Sequence, residues 1–171
     1  DVPNFTRFPY QHYKRTAELE ILKSWKSSWI FRIRMPFNHL PHPRNWLMKL
    51  CKHDRILDGL NSVTFLDQFC MRSFQLVMSD SRTPPGIYHA CESTPVRTAQ
   101  VARMLFDAGL RKKAVELFPA CDFAMSGHVP RSAAVLDSSK FEQAYGEKFG
   151  DPMAALRWCI DNLAGQKATS V

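Results

Sequence analysis

Seven glycines stand at positions 59, 86, 109, 127, 146, 150 and 165, and no two of them make Gly-x-Gly or Gly-x-x-Gly. A dinucleotide-binding fold needs such a turn, because only glycine lets backbone N–H groups approach a pyrophosphate at a helix N-terminus. The chain therefore has no phosphate-cradling turn of its own. Its 171 residues suffice for one domain and one core, and are too few for two full α/β domains. It opens on Asp1, in what reads as a loop. We expect a piece of something longer, processed or truncated.

Hydrophobic periodicity alternates along the chain. Residues 10–26 read as a helix, with Ala17, Ile21, Leu22 and Trp25 at three- and four-residue steps. Residues 29–34 read as a strand. Pro36, Pro41 and Pro43 mark a loop that holds His39 and His42, and a helix follows from Arg44 to His53. Short extended pieces surround Gly59. Residues 65–78 form an amphipathic helix with Leu66, Phe69, Cys70, Phe74 and Val77 on one face. A short strand is expected over 87–90. A helix over 98–108 has Thr98 as its cap and Gly109 just past its end, and 111–118 adds a further helical turn. Ser139-x-x-Glu142 reads as a capping box, and Asp151-Pro152 opens a last helix that stops at Gly165. The fold class is α/β with a high helix share.

Charge and cysteine usage narrow the function. Residues 1–58 hold 11 Lys and Arg against 5 Asp and Glu, a net of +6, whereas 59–171 hold 12 against 11, a net of +1. A local excess of this kind draws anions. The bases are scattered singly among Trp, Phe and Ile with no recognisable module, which favours a small anionic ligand over nucleic acid. No stretch reaches the roughly 20 apolar residues of a membrane span. The N-terminus has no basic-then-apolar signal pattern, so the expected location is cytoplasmic. Five cysteines, at 51, 70, 91, 121 and 159, have no Cys-x-x-Cys spacing and read as buried, reduced thiols. His39 and His42 have no Asp, Glu or Cys close by in sequence, so no metal site is expected.

The strongest local signal is Tyr10-Gln-His-Tyr-Lys14. Tyr and Lys at i and i+4 lie one turn apart on one helix face. An ammonium beside a phenol favours the ionised oxygen, and a tyrosine so placed can protonate a carbonyl oxygen as hydride arrives. Alone, the spacing equally describes an ordinary exposed helix. His12 and Tyr13 fall on other faces.

In context, the sequence resembles the extended short-chain dehydrogenase/reductases that act on nucleotide sugars. Within them it is most like the epimerase-reductases of rhamnose synthesis, of the type fused to a dehydratase in plants. The stretches that carry the likeness are Asp1-x-Pro3-Asn4-Phe5-Thr6, Tyr10-x-x-x-Lys14 with Glu18, and Arg32-Ile33-Arg34-Met35-Pro36. Pro43-Arg44-Asn45-x-x-x-Lys49, Asn61-Ser62-Val63-Thr64-x-Leu66-Asp67, Gly86-Ile87-Tyr88, Arg131-Ser132 and Asp137-x-x-Lys140-Phe141 follow. They span nearly the whole chain in order.

The resemblance implies the C-terminal part of a Rossmann-type extended fold. Residues 1–36 would be the catalytic helix and following strand of an incomplete dinucleotide-binding domain. Residues 37–171 would be a mostly helical sugar-nucleotide lobe with some strands returning to the sheet. Tyr10 would be the acid for reducing a C4 ketone, and Lys14 would hold the nicotinamide ribose and ease ionisation of the Tyr10 phenol. Lys49 would be the acid–base partner in 3,5-epimerisation. Met35 and Pro36 would end a strand at the nicotinamide of NADPH or NADH. Arg44 and Asn45 would meet the substrate, a UDP- or dTDP-linked 4-keto sugar, and Arg131 its diphosphate. Lys49 equally reads as a solvated helix lysine, and Arg44 and Arg131 as surface charges. The family's glycine-rich loop, an upstream Ser/Thr and an epimerase cysteine would sit in a missing N-terminal segment, and a homodimer through the Tyr/Lys helix is a further option. A non-catalytic sugar-nucleotide-binding or regulatory subunit is the alternative.

Overall fold

In a computed structural model, which describes residues 9–78, 83–118 and 134–168, two strands distant in sequence pair in parallel. They are β1 (Trp29–Arg32) and β6 (Gly86–His89), with Trp29 opposite Gly86 and Arg32 opposite His89. The Ala90 N–H donates to the Arg32 carbonyl at 2.9 Å, one step beyond the last pair. The strand expected over 29–34 stops at Arg32. Past that point the Arg34 N–H turns to Thr64 Oγ1 at 3.1 Å, and Met35 takes a left-handed φ of 43°, strained by of order 1 kcal/mol for a residue with a side chain. Met35 therefore lies in a turn beyond the strand. Pro36 opens the next one, β2 (Pro36–Phe37), which pairs in parallel with β5 (Thr64–Phe65). The other pairs are β3 (Arg55–Leu57) with β8 (Glu116–Phe118), parallel, and β4 (Leu60–Asn61) with β7 (Val96–Arg97), antiparallel.

Among the described residues the helices are α1 (Pro9–Ser24), α2 (Trp46–Lys52), α3 (Leu66–Met78), α4 (Thr98–Asp107), α5 (Ser139–Tyr145) and α6 (Pro152–Ala168). Several ends differ from the sequence expectation, each for a reason of contact. Thr98 is the first helical residue of α4 and not its cap. The cap comes from Asp58, whose Oδ1 accepts the Ala99 N–H at 3.1 Å. Residues 116–118 form β8 and not a helical turn. Gly109, at φ 70°, ends the preceding run, and Arg111 turns inward to donate to the carbonyls of Leu50, His53 (2.5 Å) and Asp54 (2.7 Å). That anchor leads the chain back beside β3, where Arg55 pairs with Glu116 at 2.9 Å. The expected capping box does not form: Ser138, not Ser139, is the N-cap and makes no side-chain bond to a helix N–H, its hydroxyl instead donating to Glu142 Oε1 at 3.2 Å, while Asp137 Oδ1 accepts the Ser139 N–H. Helix α6 runs through Gly165, because Lys167 beyond it donates to the Gly109 carbonyl at 2.9 Å and a mid-helix glycine costs only about 1 kcal/mol.

Two apolar clusters form. Phe37, Leu47, Val101, Leu105 and Leu156 centre the first, and Leu76, Tyr88, Phe141 and Phe149 the second, with Phe31 packed against it. Helix α3 keeps only part of its expected apolar stripe inward, Leu66 and Phe69 being half-buried with Phe69 against the second cluster. Arg72 and Leu76 are buried, while Cys70 and Val77 are exposed and Phe74 is 65% exposed. The Arg72 guanidinium takes a core seat by lying 4.9 Å from the ring centres of both Tyr145 and Phe149 and donating to the Lys148 carbonyl at 2.9 Å. The cysteines divide as well: Cys91 and Cys159 are buried, Cys51 is half-buried and Cys70 is exposed, whereas Cys121 lies outside the described residues. Among the described residues, no helix is long and apolar enough to cross a membrane.

Arg111 is buried and satisfies three carbonyls at the exit of α2. Arg111→Met, which keeps the stem, is expected to lower unfolding stability by roughly 2–3 kcal/mol, read from urea denaturation midpoints.

Candidate active site

Helix α1 starts on Pro9 and contains neither glycine nor a second proline. Tyr10 and Lys14 fall on one face, and the Lys14 ammonium lies 5.8 Å from the centre of the Tyr10 ring. Both are open to solvent, Tyr10 at 68%. No residue of α1 is buried: of the periodic apolar positions, Ile21 and Leu22 are half-buried, while Ala17 and Trp25 are exposed. Its tie to the sheet is polar. The Glu18 carboxylate accepts Arg32 Nε at 2.7 Å and Arg32 Nη2 at 2.6 Å. These bonds hold the Glu18 carboxyl below the usual carboxylate range.

Strands β1 and β6 are parallel, so their carboxyl ends open on one side, the place where α/β sheets bind ligands. The residues just past those ends are held by Asn61. Its Oδ1 accepts Arg34 Nη2 at 2.7 Å, Arg34 Nε at 3.3 Å and the Ala134 N–H at 3.2 Å. Its Nδ2 donates to the Gly59 carbonyl at 3.1 Å and to Thr98 Oγ1 at 3.4 Å. Thr64 Oγ1 receives the Arg34 N–H and donates to the Ala90 carbonyl at 2.8 Å. Asn61 and Thr64 thus fix the turn carrying Met35 to the segment after β6. Both stand in the Asn-Ser-Val-Thr stretch, for which the sequence suggested no role.

The remaining expected residues divide. Lys49 is exposed on α2. Arg44 is exposed, and its N–H donates to His42 Nδ1 at 3.1 Å. Asn45 is buried, and its side chain is engaged internally. Oδ1 caps α2 at the Leu47 N–H, and Nδ2 donates to the carbonyls of Asn38 and Leu40 at 2.8 Å. It braces the proline loop. Arg131 lies outside the described residues. His39, which has no acidic neighbour in sequence, meets one in space: its Nδ1 is 3.1 Å from Asp67 Oδ2, and its ring packs edge-on against Trp158. Among the described residues, no three His, Cys, Asp or Glu side chains gather as metal ligands.

The residues present fit one end of a dinucleotide. An exposed phenol and ammonium a turn apart suit a nicotinamide ribose and the carbonyl beside it. The turn at Met35 and the half-buried Pro36 lie at the carboxyl end of β1. The pyrophosphate end has no counterpart among the seven glycines.

No family model matches the chain. It is 29% identical, over 148 residues, to a bifunctional dTDP-4-dehydrorhamnose 3,5-epimerase/dTDP-4-dehydrorhamnose reductase of Arabidopsis thaliana, a match covering 86% of this chain and 48% of the relative. A trifunctional UDP-glucose 4,6-dehydratase/3,5-epimerase/UDP-4-keto-L-rhamnose-reductase of the same plant is 28% identical over 148 residues, 22% of its length. Among solved structures, the UDP-rhamnose synthase of Acanthamoeba polyphaga mimivirus superposes with a TM-score of 0.77 at 21% identity, over 95% of this chain and 55% of that one. RMD of Pseudomonas aeruginosa, solved with NADPH, gives 0.61 at 14% identity, over 94% and 57%. The chain is similar in sequence to these plant enzymes and shares the α/β fold of the two solved structures. It spans about half the length of the bifunctional relative and of the two solved structures.

One titratable group near these strand ends was not anticipated. Glu92, two residues past Ala90, is 3% exposed and accepts the Phe65 N–H at 3.3 Å. Burial pushes its carboxyl up from 4.5 to about 7, against the pull of the Phe65 amide and Arg72. The native chain thus keeps a proton that the unfolded chain releases. Its contribution is full below pH 4.5 and is lost as pH rises to about 7. Urea midpoints between pH 5 and 8 should show that decline, on the order of 3 kcal/mol, and Glu92→Gln should flatten it.

Proposed function

We propose that this chain is the C-terminal half of an NADPH-dependent reductase of a nucleotide-linked 4-keto-6-deoxyhexose, and that it also takes part in 3,5-epimerisation. The observation that carries this reading is the exposed Tyr10–Lys14 pair, with the ammonium 5.8 Å from the phenol ring, on a helix tied to the carboxyl-end side of a parallel strand pair. The sequence similarity to the plant epimerase/reductases supports it.

When bound, the nicotinamide supplies hydride to C4 of the sugar. Tyr10 Oη donates its proton to the ketone oxygen, and Lys14 Nζ hydrogen-bonds the ribose and stabilises the phenolate left behind. Lys49 Nζ holds the proton exchanged at C3 or C5. Arg44 meets the substrate, and Arg131 meets its diphosphate through a planar guanidinium fork. Asn45 acts through the loop it braces. The glycine-rich cofactor turn and the second epimerase residue are supplied by a segment outside these residues. The carrier is UDP or dTDP, and the working unit is a homodimer in the cytoplasm.

NADPH oxidation by the full-length enzyme tests this with UDP-4-keto-6-deoxyglucose and its dTDP counterpart. Tyr10→Phe is expected to lower kcat by at least about a hundredfold with KM for the sugar little changed, and near-normal turnover would remove Tyr10 from the role. Lys49→Met is expected to slow solvent-deuterium exchange at C3 and C5 while sparing binding of UDP, measured by calorimetry.

A further inference from the structure

Helix α1 has no fully buried residue, Ile21 and Leu22 being only half-buried, and its best-ordered tie to the sheet is polar. Residues 10, 14 and 18 succeed one another at four-residue steps, which places Glu18 below Tyr10 and Lys14 on one broad face. Glu18 meets Arg32 through two parallel bonds of 2.6 and 2.7 Å. The two side chains are only 14% and 15% exposed, so the pair is largely out of water. Arg15 adds a weaker contact to Glu18 at 3.6 Å. A planar fork on a carboxylate fixes direction as well as distance.

The chain of contacts continues behind Arg32. Its Nη1 lies 3.2 Å from His89 Nε2, and His89 Nδ1 lies 3.1 Å from the Asp137 carbonyl oxygen. A carbonyl only accepts, so the imidazole proton sits on Nδ1 and the Nε2 lone pair faces the guanidinium. Burial and the Arg32 charge both push the His89 pKa down, which keeps that tautomer neutral. A polar ladder thus runs from the segment before α5, through β6 and β1, to α1.

We infer that Glu18 and Arg32, with His89 behind them, are positioning residues that set the rotation of α1 and so aim Tyr10 and Lys14 at the reacting carbonyl. The inference rests on the functional reading above and assigns these residues a role exerted through Tyr10 and Lys14. A misaimed phenol slows proton transfer while leaving the sugar's binding contacts in place.

The test uses the full-length enzyme with NADPH and UDP-4-keto-6-deoxyglucose, comparing Glu18→Gln, Arg32→Lys and the swap Glu18→Arg with Arg32→Glu. Glu18→Gln and Arg32→Lys are each expected to lower kcat at least tenfold with KM within threefold. The swap should recover at least threefold of the kcat lost in the worse single variant, and amide exchange over residues 9–24 should speed up in Glu18→Gln. If Arg32→Lys does not fold, Glu18→Gln, which keeps the shape of the side chain, carries the test. Normal kcat in folded Glu18→Gln, or kcat and KM failing together without recovery in the swap, would overturn the inference. Tyr10→Phe runs alongside: its loss of activity beside a normal Glu18→Gln condemns the ladder alone. An inactive wild type, or an active Tyr10→Phe, condemns the functional reading and the ladder's catalytic role with it.

Discussion

Parallel strands cannot be joined by a hairpin, and the pairing of β1 with β6 therefore obliges the chain to make a long excursion between them. That excursion contains β2, α2, β3, β4, β5 and α3. It places the Asn-Ser-Val-Thr stretch beside the carboxyl end of β1, where Asn61 and Thr64 can reach Arg34. The same pairing sets Arg32 against His89. Both polar systems described above, one under the Met35 turn and one under α1, exist because these two short strands lie in register.

What could be read from the sequence follows from the range of the forces involved. Local signals served well where local forces decide. The run without glycine or proline after Pro9 made α1, and the positive φ at Gly109 closed α4. The Tyr10–Lys14 face was legible for the same reason, since i and i+4 meet in any helix. The family resemblance supplied the fold, and the superposition on the mimivirus synthase agrees with it.

The misses share the opposite character. The larger ones involve a partner that arrives from elsewhere in the chain. Arg111 converts an expected helical turn into the approach to β8 by reaching the end of α2. Arg72 outcompetes Phe74 for the interior of α3 because Tyr145 and Phe149 offer it two ring faces. Asp67 comes to His39 across 28 positions. Hydrophobic periodicity ranks such residues by their own polarity and is blind to the rings or carbonyls that compensate it. Glu18 shows the intermediate case: its place one turn beyond Lys14 was visible, but the guanidinium that gives it work was not.

The capping of α4 by Asp58 carries a consequence for the order of folding. The residue that satisfies the Ala99 amide is 41 positions away, and it also pairs with Arg97 at 2.9 Å. A helix with its own cap can nucleate early, whereas this one gains its first-turn acceptor only after a loop of that length has closed. The start of α4 should then consolidate late, together with the β4–β7 pairing beside it, as a high-contact-order event in a chain otherwise rich in helices.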